Sequence, residues 1–314
     1  MLEHNDIQGY WGEKTATNWC EDNYSLTHYI AEFFNTLSSF CMVCVGIFGM
    51  YMHSKGFETR FLICFATIIV VGIGSILFHG TLLFSLQLFD EVPMMFCVTT
   101  LCYSIIENKK TRRFGRWFPI ALATWCLLIT SIMIFSGRYH HDKKMQLIEV
   151  FVFQVSFAIM AGFFYIYISL LMVRPKLYST KHIKTLWITG SLVFLIGYIG
   201  WNVDMHFCSW MNQLPFSLPN PQLHAWWHLT ASYGSYVMCV LVAYDRSKTL
   251  EQDICVKWVL NILPYVHIIA SDEKKEILSS PRKRRSRFLK NNKSPDSNQE
   301  KVPLLRDSES DSSN

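Results

Sequence analysis

The chain has few charged residues. Only 17% of its 314 residues are charged, whereas 51% are hydrophobic. A composition this apolar excludes an ordinary soluble domain, and the apolar residues come in blocks long enough to cross a bilayer. The sequence therefore predicts an all-α integral membrane bundle of seven transmembrane helices. The predicted spans are 29–53, 61–82, 90–106, 117–135, 146–172, 185–202 and 223–244.

Lys and Arg are scarce on one side of this predicted bundle, and the loops 83–89 and 203–222 contain none. The loops after spans one, three and five hold eleven Lys and Arg residues, against four on the opposite side. Because positively charged loops tend to stay in the cytoplasm, we expect a lumenal or extracellular N-terminus and a cytoplasmic C-terminus. Residues 1–28 lack the apolar core of a cleavable signal, so the first span would direct insertion.

Composition divides the chain into three parts: a lumenal segment 1–28, a seven-span domain 29–245 and a tail 246–314. The tail contains PRKRRSRFLKNNK and then a polar stretch, and we expect it to be disordered and cytoplasmic. Its basic run is either a solvated positive-inside tail or a segment that lies against anionic lipid headgroups. Nothing in the sequence indicates a nucleic-acid partner or an obligate protein partner.

Three histidines stand beside apolar segments. His224 and His228 are four residues apart in LHAWWHL, so on a helix both imidazoles share one face. His79 closes the apolar run that ends in SILFH, and Asp90 follows eleven residues later. The predicted topology places all four toward the lumenal leaflet. Three imidazoles, a nearby carboxylate and an open fourth position are typical of a catalytic zinc site. The alternative is three unrelated packing histidines.

Three polar residues near these histidines have two interpretations each. Ser75 precedes His79 by four residues, and it either faces the site or bonds back to a helix carbonyl. Asn202 and Asp204 end span six, and they either accept hydrogen bonds from the ligating histidines or cap the membrane interface.

The segment before the first span gathers oxygen donors of the kind that calcium prefers. Their spacing is not that of an EF-hand loop, and acidic residues that cap the first helix are the alternative. On the residues alone the cap is favoured, although a glutamate inside the apolar stretch YIAEFFN requires a partner. The donors are Asn18, Glu21, Asp22, Asn23 and Glu32.

Cysteine placement is uneven. Of ten cysteines, only Cys20 and Cys208 fall in predicted lumenal segments. Two such cysteines in an oxidising compartment suggest one disulfide, which would tie the N-terminal segment to the loop before span seven.

These motifs together resemble the alkaline ceramidase family. The resemblance covers most of residues 9–245 and runs in order through GYWGEKTATNWCEDNYSLTHYIAEFFNTLS, GSILFH, LQLFDEVPMMF, WNVDMHFC and LHAWWHL. It implies a membrane-embedded amidase that hydrolyses ceramide to a sphingoid base and a free fatty acid, with a buried zinc ion and a response to calcium. We expect its location to be the endoplasmic reticulum or Golgi membrane, although EKVPLL in the tail has the form of an acidic dileucine sorting signal.

The resemblance also implies roles for individual residues. His79, His224 and His228 would bind zinc, Asp90 would engage the catalytic water, and Ser75 would contact the carbonyl region of the substrate. The implied calcium ligands are Asn18, Trp19 through its backbone carbonyl, Glu21, Asn23 and Glu32.

Two departures from the family pattern have consequences. The family commonly has Asp where this chain has Asn18, so the calcium site would lose one formal charge. Ile76 and Gly80 replace a common Trp and Met and would alter the pocket shape. The alternative function is a seven-span lipid-sensing receptor of the progestin and adiponectin type, for which the opposite topology is expected. A transporter is disfavoured, because no repeated halves carry paired Gly or Pro breaks.

Overall fold

Helices form most of the described chain. The computed structural model describes residues 9–11, 19–108, 114–138, 143–172 and 181–269. The elements in chain order are α1 (Phe33–His53), α2 (Thr59–Thr81), α3 (Phe84–Ile106), α4 (Trp117–Gly137), α5 (Lys143–Met172), α6 (Lys181–His206), the short α7 (Cys208–Met211), a 3-10 turn (Pro215–Ser217), α8 (Leu223–Thr249), β1 (Ile254–Val259) and β2 (Leu263–Ile268).

Six of these helices, α1 to α6, are long and apolar enough to cross a membrane. Helix α8 has 27 residues and is also long enough, but its composition leaves it outside that apolar set. The prediction of a helical membrane bundle is therefore confirmed. Helix α3 begins at Phe84, six residues before the predicted span, so Asp90 lies in its second turn rather than at its start.

Helices α2 and α3 approach closely at the level of the candidate site. A Cβ atom on Gly74 would lie 2.1 Å from the backbone oxygen of Phe89, so only glycine fits there. Pro93 follows Phe89 by four residues and has no N–H, which leaves that oxygen without its usual helical donor. The close contact brings Asp90, the residue after Phe89, against the face of α2 that carries Ser75.

Helix α8 is the most enclosed element of the bundle. It packs against α1 and α6, and its residues Tyr236–Tyr244 are almost completely buried. The approach of α6 depends on Gly234, where a Cβ atom would lie 2.8 Å from the Cβ atom of Phe194. The histidine motif at the start of α8 is thus held by a helix with little freedom to shift.

The chain after α8 forms an antiparallel hairpin. Strand β1 pairs with β2 in the register Ile254↔Ile268 to Val259↔Leu263. The side chains of Ile254 and Val266 are buried in the core beneath α8. The prediction that disorder begins at residue 246 is therefore wrong for residues 246–268, because apolar residues of this stretch pack against the bundle. The remainder of the predicted tail, 270–314, lies outside the described residues.

Candidate metal centre

Two helices bring the three histidines together. His79 lies in the last turn of α2, and His224 and His228 lie in the first two turns of α8. All three side chains are buried, and their candidate ligand atoms lie within 4.8 Å of one another. The Nε2 atoms of His79 and His224 are 3.3 Å apart. Two nitrogen atoms bound to one tetrahedral zinc at ~2.0–2.1 Å would be separated by about the same distance. This pair of nitrogen atoms therefore has the spacing of two ligands on one zinc ion, and the three histidines together could hold a metal ion.

Hydrogen bonds at the Nδ1 atoms of two imidazoles orient their Nε2 atoms toward the centre of the histidine cluster. The Nδ1 atom of His79 lies 2.6 Å from Oε2 of Glu32, which accepts a hydrogen bond when the imidazole proton is on Nδ1. The Nδ1 atom of His228 lies 2.8 Å from Oγ of Ser38, whose hydroxyl donates to the backbone oxygen of Asn35 and so is free to accept. With both Nδ1 atoms protonated, the Nε2 lone pairs of His79 and His228 are available to a metal ion.

His224 is held differently. Its ring stacks on Trp19 with centroids 3.7 Å apart, and its Nδ1 atom has no hydrogen-bond partner of ordinary geometry among the described residues. Asp204 accepts a hydrogen bond from the backbone N–H of His224 at 3.3 Å and another from Cys20 at 3.1 Å. Asp204 therefore anchors the start of α8 rather than an imidazole. The amide of Asn202 donates to the backbone oxygen of Tyr198, within its own helix.

Asp90 and Ser75 stand beside the histidines. The Oδ2 atom of Asp90 lies 3.9 Å from Nε2 of His79, and Oγ of Ser75 lies 3.4 Å from Nε2 of His228. Ser75 also accepts a hydrogen bond of 3.1 Å from Ser39 and is within hydrogen-bonding reach of the Asp90 carboxyl group. Ser75 thus faces the site, and the structure supports that interpretation over a bond to a helix carbonyl.

A cavity opens beside this group. It is lined by Ser75, Asp90, Glu91, Gln154, His224 and His228 together with apolar side chains. A second cavity shares several lining residues with the first and is almost entirely apolar. The residues common to both are Met42, Met94, Phe157 and Trp227. A polar reacting group at the histidines and a long apolar tail could therefore be held together.

Comparison with known proteins decides the family. A sequence model of the ceramidase family matches residues 12–267. The chain belongs to the ceramidase family. It is 32% identical to alkaline ceramidase 3 of Mus musculus over 269 residues, which cover 83% of this chain and 95% of that protein. It is 31% identical to alkaline ceramidase YPC1 of Saccharomyces cerevisiae, with 78% and 81% covered. The resemblance read from the motifs is confirmed.

The ceramidase has one disulfide among its described cysteines, between Cys20 and Cys208, as predicted. The bond joins the N-terminal segment to α7, immediately after α6. Because Trp19 precedes Cys20, the bond also fixes the ring that stacks on His224. The covalent link therefore contributes to the wall of the histidine site.

The structure brings some of the predicted calcium ligands close together. Both carboxylate oxygens of Glu21 accept backbone N–H groups at the start of α1, from Phe34 at 2.7 Å and Asn35 at 2.9 Å. Burial raises the pKa of Glu21 to about 7, and these two hydrogen bonds oppose the shift. The helix-cap interpretation of Glu21 is thus correct, although each carboxylate oxygen keeps a second lone pair.

Glu32 lies next to this cap. Its Oε2 atom is engaged by His79, whereas its buried Oε1 atom has no hydrogen-bond partner of ordinary geometry among the described residues. The backbone of Trp19 approaches the same carboxyl group. Asn23 lies two residues after Glu21, and Asn18 falls outside the described residues.

Three supporting residues were not predicted from the sequence. Asn35, Ser38 and Ser39 lie on one face of α1, since they are spaced by three and four residues. Asn35 donates to Glu32 at 3.0 Å, and Ser38 and Ser39 contact His228. The available signal was the motif NTLSS, which places polar side chains at helical spacing inside an apolar span.

Proposed function

We propose that His79, His224 and His228 hold a catalytic zinc ion with which this ceramidase hydrolyses the amide bond of ceramide to a sphingoid base and a free fatty acid. The observation that carries the proposal is the set of three buried imidazoles whose candidate ligand atoms converge within 4.8 Å. Zinc at this point would supply a Lewis acid that polarises a carbonyl oxygen and activates water.

Asp90 is the proposed general acid and base. Its carboxylate lies 3.9 Å from Nε2 of His79 and lines the cavity, so it can accept a proton from a water molecule held there. The same group then delivers the proton to the departing amine of the sphingoid base. Ser75 has its hydroxyl at the same wall, where it donates a hydrogen bond to the oxyanion that develops on the substrate carbonyl.

Glu32 and Ser38 are proposed positioning residues. Each accepts a hydrogen bond from the Nδ1 atom of a ligating histidine, which fixes the ring orientation and raises the basicity of the ligand. The apolar cavity beyond Met94 and Trp227 would hold a lipid chain, in keeping with a substrate drawn from the membrane.

Seven spans with a lumenal N-terminus and a cytoplasmic C-terminus are part of the proposal. Arg60 on α2 and Arg246 on α8 both contact Glu58, at 2.9 Å and 2.6 Å. His79 lies 19 residues after Arg60, and His228 lies 18 residues before Arg246. At ~1.5 Å per residue the two helices therefore cover about the same distance, roughly 27–29 Å, between the arginines and the histidines. This agreement supports α8 as a seventh span that runs alongside α2 in the opposite direction.

We further propose that Asn18, Trp19, Glu21, Asn23 and Glu32 bind calcium on the lumenal side, and that the protein works in the endoplasmic reticulum or Golgi membrane. The buried carboxyl groups of Glu21 and Glu32, which lie close to each other and to Trp19, support a cation at this place. The lipid-sensing receptor is not favoured, because the matched family and the curated relatives are ceramidases.

The test is ceramide hydrolysis by the purified full chain before and after metal chelation. We expect activity to be lost with the bound metal and to return when zinc is added. Full activity in protein that metal analysis shows to be free of zinc would overturn the zinc mechanism. Protein that binds zinc but does not hydrolyse ceramide would overturn the assignment of ceramide as the substrate.

A further inference from the structure

The edge of β2 that faces the bundle is hydrogen-bonded by side chains of α1 and α8. The hydroxyl of Tyr233 donates to the backbone oxygen of Ile262 at 2.9 Å, and the hydroxyl of Tyr236 donates to that of Pro264. The backbone N–H of Val266 donates to Nε2 of His53 at 3.2 Å. One backbone group is thereby satisfied at the turn residue Ile262 and at each of the alternate β2 residues Pro264 and Val266.

Such an arrangement is what a strand edge requires where water is absent. Backbone groups at an edge in water can be hydrated, whereas in a bilayer each unsatisfied group carries a large free-energy penalty. Pro264 has no N–H, so its position on the edge leaves only its oxygen to be bonded. On the outer strand, Lys257 is exposed and has a side chain long enough to reach toward the headgroups.

The depth of the hairpin follows from the helix that it contacts. Tyr233 lies 13 residues before Arg246, which contacts Glu58 at the proposed cytoplasmic boundary. At ~1.5 Å per residue this is about 20 Å into a hydrocarbon core of about 30 Å. The other end of the hairpin lies at the boundary, since Ile268 contacts Gly56 in the loop between α1 and α2. The strands therefore run inward from the cytoplasmic side.

The tip of the hairpin is apolar and uncovered. Leu260 is 84% exposed and Ile262 is 58% exposed. The neighbouring outer face of α1 is similar, with Ile47 at 55% exposure. Two large aliphatic side chains at this depth are thus continuous with the surface that faces lipid.

We propose that the β1–β2 hairpin is a re-entrant membrane element whose tip, Leu260–Ile262, contacts lipid acyl chains inside the bilayer. The hairpin packs against α8 beside α1, α2, α3 and α6, and its residues Ile254 and Val266 belong to the same core cluster as Tyr236–Tyr244. This inference rests on the proposed topology in which α8 crosses the membrane.

Spin labels in liposomes test the depth of the tip. In a background with the partly exposed thiols Cys41, Cys44 and Cys255 replaced by serine, one cysteine is introduced per variant. Leu260→Cys reports on the tip, Ile73→Cys on the outer face of α2, and Asp253→Cys on the base of the hairpin. Collision with apolar oxygen is compared with collision with a water-soluble nickel chelate, and ceramide hydrolysis of each variant verifies its folding.

We expect the oxygen-to-nickel ratio at residue 260 to match that at residue 73 and to exceed that at residue 253 several-fold. If residue 73 has a lipid-like ratio but the ratio at residue 260 is as low as that at residue 253, the hairpin lies in the cytoplasm and the inference is overturned. Low collision with both reagents at 260 would mean that protein, such as a second copy, covers the tip, and would also overturn it. A water-like ratio at residue 73 would instead contradict the proposed membrane topology itself.

Discussion

The Nδ1 atom of His79 lies 2.6 Å from Oε2 of Glu32, although the two residues are 47 positions apart. Both side chains are completely buried. Glu32 immediately precedes α1 and lies next to the N-terminal segment, whereas His79 belongs to the histidine cluster in the bundle. One carboxylate therefore connects the proposed calcium site to the proposed zinc site, and the predictions below separate its two roles.

Replacing any one of the three clustered histidines with alanine should remove zinc and abolish ceramide hydrolysis, because a catalytic site with three protein ligands has none to spare. Metal analysis and activity of purified His79→Ala, His224→Ala and His228→Ala variants provide the measurement. The matched control is His206→Ala, which removes an exposed histidine on the same side of the protein. A clustered variant that keeps both zinc and activity would remove that residue from the ligand set.

Asp90→Asn should keep zinc and lose turnover. The amide preserves the shape of the side chain but cannot accept a proton, so we expect kcat to fall by ~10²–10⁴-fold, the usual contribution of general acid–base catalysis. Zinc content and kcat are measured on the same preparation. Activity within a few-fold of the parent would make Asp90 a structural residue.

Glu32→Gln should weaken zinc binding by ~10–100-fold, as is usual when the partner of a ligating histidine is changed. The glutamine still offers an oxygen to His79 Nδ1, so the variant should retain more zinc than Glu32→Ala. Zinc affinity is measured by competition with a chelator. Equal affinity in Glu32→Gln, Glu32→Ala and the parent would show that the hydrogen bond to His79 does not tune the metal site.

The histidine site could be predicted from the sequence because its signals are local. The spacing of His224 and His228 places both on one helical face, and the direction of each span places His79 and Asp90 at the same depth. The contact of Glu32 with His79 could not be predicted, because it depends on how α1 packs against α2. The same holds for the contacts of Ser38 and Ser39 with His228.

The hairpin was missed for a different reason. Residues 254–268, ICVKWVLNILPYVHI, are rich in β-branched and aromatic residues, as strands are. They are followed by a long basic and polar stretch, so the average composition of the predicted tail concealed a hairpin of fifteen residues that packs against the bundle. Composition averaged over a segment shorter than the whole tail would have revealed this hairpin.

Removing the disulfide should destabilise the protein and loosen the wall of the histidine site. Loss of a native disulfide typically costs about 2–5 kcal/mol, so Cys208→Ser should lower the midpoint of thermal unfolding. Zinc affinity should fall as well, because Trp19 no longer has a fixed position over His224. The control is Cys44→Ser, at an exposed free thiol. An unchanged zinc affinity in Cys208→Ser would show that the ring stacks on His224 without help from the covalent bond.

Calcium should act by ordering the N-terminal segment rather than by chemistry. Glu21 caps α1 with both oxygens, and Trp19 and Glu32 lie beside it, so an ion here would hold the segment against the bundle near His224. Removal of calcium should therefore lower ceramide hydrolysis without releasing zinc. Because Glu32 also contacts His79, the ion is better tested at residues that touch no histidine.

Asn18→Asp adds a carboxylate and should shift the calcium titration of activity to lower concentration, since the number of charged ligands tunes calcium affinity. Glu21→Gln removes one charge, keeps an oxygen for the helix cap, and should shift the titration to higher concentration. Asp22→Asn, at an exposed acid outside the proposed ligand set, is the control for net charge. Zinc content should be equal in all four proteins. If the titrations superimpose, the charge of Glu21 does not contribute to calcium binding, and Glu21 is a helix cap alone.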